Sequence, residues 1–440
     1  MDGLSAAARV EQSALRKVYL RVVPICFLLY ILCYIDRINI SFAALTMNQD
    51  IGLSAHVYGM GAGLMWWSYC LLEVPSNYLL QKFGARLWLG RIMITWGLVA
   101  TACALIQGPI SFYALRLLLG AAESGLYPGL LVYIYRFFPQ RHRSRVVGWF
   151  MLAMTMATVI GSPLSTALLQ LDGLAGLRGW QWIFVGEGFP TVIIGVWVVF
   201  CLTERPREAG WLTPEERAWL EAELAKEAHE IERAHAHTFL TAMADPRVWA
   251  LTALFTFICM AGSGLEMFIP QILKAAGASI TQAGLLTSIP FIVGTLAMIV
   301  SGHIADHGNY RVGVLFTTIA LGAVGLGLGA MVHNSVWLLV VAASMAAAGI
   351  YAMRPPFWPL PSAFLTGPVL VITVPAINSI GNIGSWAGPV VVGYARDATG
   401  NFEAGMYVLA AAALVSALVS LGCWLWMPGL RQQPALHPAE

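Results

Sequence analysis

A succession of long apolar runs constrains this chain more than any other feature. Twelve stretches rich in apolar residues follow one another, at about 18–45, 57–80, 87–107, 110–138, 145–170, 182–202, 247–273, 281–305, 311–332, 335–364, 367–395 and 404–428. A helix needs ~20 such residues to cross a hydrocarbon core of about 30 Å. Strand-like alternation is absent, so helices are the expected way to satisfy backbone polar groups in lipid. Only 11% of the residues are charged and 58% are hydrophobic. Soluble domains carry about 25% charged residues, so lipid is the expected solvent. A net charge of +2 gives no nucleic-acid signal. The first run is too long, and lacks the cleavage pattern, to be a removed signal peptide.

Both ends are expected on the cytoplasmic side. Of the 25 Lys and Arg, only Arg178, Lys274 and Arg396 fall on the opposite side, and Arg37, Arg116 and Arg354 fall inside runs. The rest flank the cytoplasmic ends, an asymmetry that sets orientation and fits an even number of spans. A polar insert, residues 203–246, follows the sixth run. It predicts a first bundle over 1–202, a linker, and a second bundle over 247–440. The insert contains TPEERAWLEAELAKEAHEIERA. Thr213 can cap a helix there, Pro214 suits its first position, and Glu216 completes a capping box. Leu220 and Leu224 supply a short apolar stripe. His235 and His237 follow, but two histidines without further ligands do not make a metal site. No metal or cofactor is expected.

Other motifs have bland explanations. The seven cysteines lie in or beside runs and form no CxxC pair, so they read as small apolar packing residues. GMGAG (59–63) and GLGLG (325–329) lie inside runs, with no preceding strand, and read as places where helices approach closely. No HExxH, Walker loop or GxSxG elbow occurs, so the chain is not expected to be an enzyme. A faint repeat links NYLLQKFGAR (77–86) with GHIADHGNYR (302–311), and repeated halves are common in transporters.

An ionisable side chain at mid-bilayer costs at least ~2.5–3.5 kcal/mol, so those inside runs are the main functional candidates. They are Asp36, Arg37, Glu73, Arg116, Glu123, Glu266 and Arg354. Arg116 and Glu123 are two helical turns apart and share a face. A carboxylate in low dielectric favours keeping its proton, whereas a nearby Arg favours losing it. This pair is therefore a candidate proton site. Asp36 and Arg37 are adjacent and project about 100° apart. We expect divided labour between them. Arg37 shares a face with Tyr34 and Ser41, which suits bidentate binding of a carboxylate. Asp36 would then face a neighbouring helix. Arg354 sits among Pro355, Pro356, Pro359 and Pro361, which should break the tenth span beside a cavity. Glu73 is a candidate gating or structural charge, and so are Arg86 and Asp306 in the two paired loops. Tyr69, Asn378, Ser379 and Asn382 add donors and acceptors. Glu266 has no assigned role at this level.

The stretches YIDRINISFAA, LLEVPSNYLLQKFGAR, RLLLGAAESGLYPG, YRFFPQRHRSR, FWPLPSAFLTG and INSIGNIGSWAGP resemble the anion:cation symporter branch of the Major Facilitator Superfamily. The resemblance runs from the first span to the last. It implies an all-α fold of twelve transmembrane helices in two six-helix bundles, with spans 1, 4, 7 and 10 lining a central cavity. It also implies proton-coupled uptake of a small organic anion, such as tartrate, phthalate or a hexonate. Arg37 would bind the substrate carboxylate, with Asp36 and Glu123 as protonation sites and Arg116 as their modulator. Asn378 would contact substrate from the second bundle, and Tyr69 is a further candidate. The implied partners are the anion, protons and the lipid bilayer of a bacterial inner membrane, with the chain acting as a monomer.

The chain departs from the branch in places. Gln81 stands where the superfamily's loop usually has Asp, a substitution common in this branch. The Met-rich WFMLAMTMATVIG replaces a region where hexonate carriers have an amide, which argues against a polyhydroxylated substrate. Arg37 and Arg354, one per bundle, could take two carboxylates. With Met, Trp and Phe nearby, the sequence favours a dicarboxylate, phthalate-like ahead of tartrate. The alternatives are a hexonate symporter, a uniporter, an exchanger or a sodium-coupled carrier.

Overall fold

The computed structural model describes residues 6–231, 244–307, 311–332, 334–365 and 368–426. Among them the regular structure is helical throughout, with no strand. The first part of the chain holds α1 (Ala6–Asp50), α2 (Ala55–Phe83), α3 (Ala85–Ala102), α4 (Pro109–Glu123), α5 (Leu126–Tyr135), α6 (Gln140–Leu169) and α7 (Gly179–Cys201). Helix α8 (Pro214–Ile231) follows in the polar insert. The rest holds α9 (Pro246–Ala275), α10 (Ile280–Leu286), α11 (Ser288–His307), α12 (Arg311–Met331), α13 (Val336–Ala352), α14 (Arg354–Phe357), α15 (Pro368–Gly381), α16 (Ile383–Thr399) and α17 (Glu403–Trp426). His235 and His237, and the side chain of Asp306, lie outside the described residues.

Ten helical segments among the described residues are long and apolar enough to cross a membrane. Two expected spans, α2 and α15–α16, fall short of that measure yet are helices in the same positions. Both carry Gly, Ser and other small or polar residues because they pack on each other and face the interior. At Gly59 an added Cβ would strike the Pro389 carbonyl, and at Gly63 it would strike Trp386. Close helix approach in lipid depends on such small residues. Large apolar side chains such as Ile110, Val74, Phe200 and Trp337 stand exposed around the outside. Apolar surface on that scale needs a covering, and lipid supplies it. The chain is a multi-pass membrane protein.

The first seven helices meet α9–α17 along three seams: α1 with α9, α2 with α16, and α6 with α10 and α11. Inside the bundles, several expected spans are broken. The fourth divides at Ser124–Gly125, immediately after Glu123. Gly125 has φ +85°, a left-handed conformation that glycine adopts without strain. The Ser76 hydroxyl donates to the freed Ser124 carbonyl at 2.7 Å. The tenth span divides at Met353, just before Arg354, and the prolines that follow prevent a continuous helix.

The polar insert folds as its sequence predicts over the described part. The Thr213 backbone N–H donates to Glu216 at 2.8 Å, and the Glu216 N–H donates to the Thr213 hydroxyl at 3.3 Å, which is a capping box. Glu216 also accepts from Lys17 at 2.8 Å and Ser13 at 2.6 Å, tying α8 to the start of α1. Leu220 is fully buried.

Candidate functional site

A cavity of about 100 Å³ lies between the two sets of helices. Helix α1 brings Tyr30, Tyr34 and Arg37 to it; α2 brings Trp66 and Tyr69; α5 and α6 bring Tyr127 and Met154. From the other side come Phe255, Cys259, Ser263 and Glu266 of α9, Tyr351 of α13, Arg354 and Trp358 at the broken tenth span, and Asn378, Asn382 and Ser385. Tyr34, Arg37, Tyr69, Arg354, Asn378 and Asn382, all singled out from sequence, therefore line one space. Ser379, also singled out, does not line it. Its hydroxyl turns instead to Glu73, donating at 2.7 Å across the α2–α15 contact.

Arg37 is already paired. Its guanidinium forms a buried ion pair with Glu123, which also accepts from the Cys33 thiol at 3.0 Å. Three aromatic faces enclose the cation, with Trp66 and Tyr69 centred 5.0 Å and Tyr34 5.9 Å from its Cζ. Such cation–π contacts are strongest where water is excluded. The break after Glu123 explains the geometry, because it leaves this carboxylate at a helix end beside α1 rather than within an α4 face.

Arg354 is placed differently. Among the described residues no carboxylate lies within ion-pairing distance of it. Its Nη1 contacts the Met154 thioether at 3.4 Å, a weak acceptor, and its Cζ lies 5.3 Å from the Tyr351 ring centre. The cavity thus holds one neutralised guanidinium and one without a carboxylate partner. Glu266 faces the same space, and its Oε1 is buried without a hydrogen-bond partner.

Asp36 points away from the cavity. It accepts from Trp96 of α3 at 2.6 Å and from Asn39 at 2.8 Å, and is 2% exposed. Arg116, expected beside Glu123, instead reaches the Gly61 and Ala62 carbonyls of α2, each at 3.4 Å. Its positive charge acts on Asp36. The seven-residue spacing was sound, but Glu123 turns to α1 at the helix end and Arg116 does not follow it. Glu187 was not singled out from the sequence, although WIFVGEGFP lies in the sixth run. It is 5% exposed, accepts from Ser165 at 2.6 Å and is electrostatically coupled to Asp36. The search for ionisable residues inside apolar runs would have found it. Glu204, in the insert, was also missed. It accepts from the Ala85 and Arg86 backbone N–H groups at 2.9 and 2.7 Å and pairs with Arg136, capping α3. For Arg86 the structure shows this backbone donation.

Comparison with known proteins agrees with this architecture. The model of the Major Facilitator Superfamily matches residues 26–370. An Agrobacterium vitis protein named "Putative tartrate transporter" is 44% identical over 94% of this chain and 95% of its own length. A "Quinolone resistance transporter" of Acinetobacter baumannii is 39% identical over 93% of this chain and 94% of its own. Among solved structures, a bacterial homologue of the human lysosomal transporter Spinster, inward-facing and unoccupied, superposes with a TM-score of 0.77 at 18% identity. It covers 94% of this chain and 98% of that one. The xylose transporter XylE of E. coli gives 0.73 at 13% identity, covering 95% of this chain and the whole of that chain. These are transporters rather than enzymes, and the chain belongs to the Major Facilitator Superfamily.

Proposed function

We propose that this protein takes up a small dicarboxylate together with protons by alternating access. The observation that carries this reading is the cavity with two guanidiniums, Arg37 neutralised by Glu123 and Arg354 without a carboxylate in ion-pairing distance among the described residues. An anion entering it finds a desolvated cation in each half, and charge-assisted hydrogen bonds are the strong ones. A substrate carboxylate competes with Glu123 for Arg37. Protonation of Glu123 releases the guanidinium, so proton and anion binding favour each other through linkage.

The cavity also bears on substrate size. Drug-sized ligands occupy pockets of about 300–1,000 Å³, and this one is near 100 Å³. Ser263, Asn378, Asn382 and the tyrosines offer hydroxyl and amide partners. The names of the tartrate-transporter relatives point the same way. We therefore favour a compact hydroxylated diacid such as tartrate over the phthalate-like body suggested by sequence. Residues 1–202 and 247–440 act as the two rocking bundles, joined by 203–246. Function as a monomer in a bacterial inner membrane, with cytoplasmic termini, completes the reading.

Uptake of labelled tartrate and phthalate into proteoliposomes tests it. Accumulation should rise with external acidity, collapse with a protonophore and ignore replacement of sodium. Equilibration of either acid without dependence on a proton gradient would overturn the proton-coupled mechanism.

A further inference from the structure

We infer that Glu266 is a second proton-loading carboxylate, serving the second carboxylate of the substrate at Arg354. The inference rests on the proton-coupled dicarboxylate reading and extends it to the number of protons carried.

The two halves of the cavity hold the same pair of charges in exchanged positions. In the first, the cation is on the first span (Arg37) and the carboxylate on the fourth (Glu123). In the second, the carboxylate is on the seventh span (Glu266) and the cation on the tenth (Arg354). Glu123 and Arg354 both sit at breaks in their spans, at Ser124–Gly125 and Met353. The halves differ in one respect. Arg37 and Glu123 are in contact, whereas Glu266 Oε1 is buried and unpartnered, and among the described residues Met154 is the one hydrogen-bond acceptor of Arg354. A gap is left where a substrate carboxylate can bind Arg354.

Local charge balance then points to a role for Glu266. With every group ionised, Arg37, Arg354, Glu123 and Glu266 sum to zero. A dianion would leave the enclosed site two charges negative, and uncompensated buried charge is expensive. Taking one proton on Glu123 and one on Glu266 restores neutrality. In the second step the Glu266 carboxylate gains a proton from solution and forms an O–H. That group can donate to the ligand instead of repelling it. The proton leaves again when the ligand departs on the other side.

The ionisable groups facing Glu266 are Arg354, Arg37, Tyr351 and Tyr34. Among the described residues, α15 and α16 bring the uncharged Asn378 and Ser385 to the same cavity, and Leu409 of α17 packs at Gly264. Short α10 carries no titratable residue.

The test is calorimetric titration of the purified protein with tartrate and with phthalate, in buffers of different ionisation enthalpy, which counts protons taken up on binding. At a pH where both glutamates start ionised, the wild type should take up about two protons per dicarboxylate. Glu266→Gln should bind with about one, because the amide mimics the protonated acid. An unchanged proton count in Glu266→Gln would overturn the inference. So would loss of all binding in a variant whose unfolding temperature matches wild type, since an ionised acceptor would then be the essential form. A wild type that binds with no proton uptake, or binds neither diacid, would instead overturn the parent reading.

Discussion

At the residue scale, the two arginines of the cavity are chemically alike and differently employed. Arg37 is held by Glu123 and enclosed by three rings, so its charge is compensated before any ligand arrives. Arg354 is available. Removing it should therefore discriminate between ligands. A charge-assisted hydrogen bond contributes about 1.5–3 kcal/mol. Arg354→Ala should weaken dicarboxylate binding by about 10- to 150-fold, and that of the monocarboxylate analogue much less. Arg354→Lys should restore little, because an ammonium cannot reproduce the planar fork. Binding isotherms for both ligands check this, and an equal loss for both would remove Arg354 from the site.

At the element scale, the break in the fourth span positions Glu123. Gly125 sits at φ +85°, and an added Cβ would collide with the Ser76 hydroxyl. Gly125→Ala should cost about 1–2 kcal/mol from the left-handed conformation. It should lower the unfolding temperature in detergent and weaken the acid dependence of uptake as the Glu123 end shifts. A wild-type acid dependence would mean that the break does not position this carboxylate.

The linker helix carries a pH-dependent tie. Burial works against ionisation of Glu216, but hydrogen bonds from Lys17, Ser13 and the Thr213 N–H outweigh it and hold the carboxyl below its ordinary range. A group with a depressed folded pKa stabilises at pH above its unfolded value, near 4.3, and loses that contribution as pH falls through the folded value. The α1–α8 tie should thus be intact at neutral pH and weaken below about pH 4. Glu216→Gln should mimic that loss at pH 7, read as faster hydrogen exchange across residues 214–226.

At the scale of the whole molecule, several hydrogen bonds join the halves at the end opposite the linker helix. Asp397 accepts from the Ala55 and His56 N–H groups at 3.0 and 2.9 Å, capping α2 from α16. Lys274 donates to the Leu45 carbonyl at 2.6 Å, and Asn48 meets Gln271 at 3.3 Å. On the linker side of Tyr69, Glu73 and Ser379 bridge the same halves. Alternating access requires such contacts to break and reform. Losing a helix cap costs about 0.5–2 kcal/mol, enough to shift a two-state population about 2- to 30-fold. Asp397→Ala should favour opening at this end. A cysteine at Leu45, a position 1% exposed here, should then react faster with a maleimide. An unchanged rate would mean that other contacts hold this end shut.

Periodicity, charge placement and local capping were enough to determine the class. Apolar runs of membrane length, basic residues biased to one side and the Thr213–Glu216 box are properties of neighbouring residues, so they can be read from chain order. Placing buried charges on spans 1, 2, 4, 7 and 10 needed only the rule that lipid makes them costly. Which charges meet was decided by tertiary structure, because it depends on helix breaks and on the rotation of each helix against its neighbours. Glu123 chose Arg37 over Arg116, Ser379 turned to Glu73, and Arg354 was left facing Glu266 across an open cavity. No spacing within one helix encodes those partnerships.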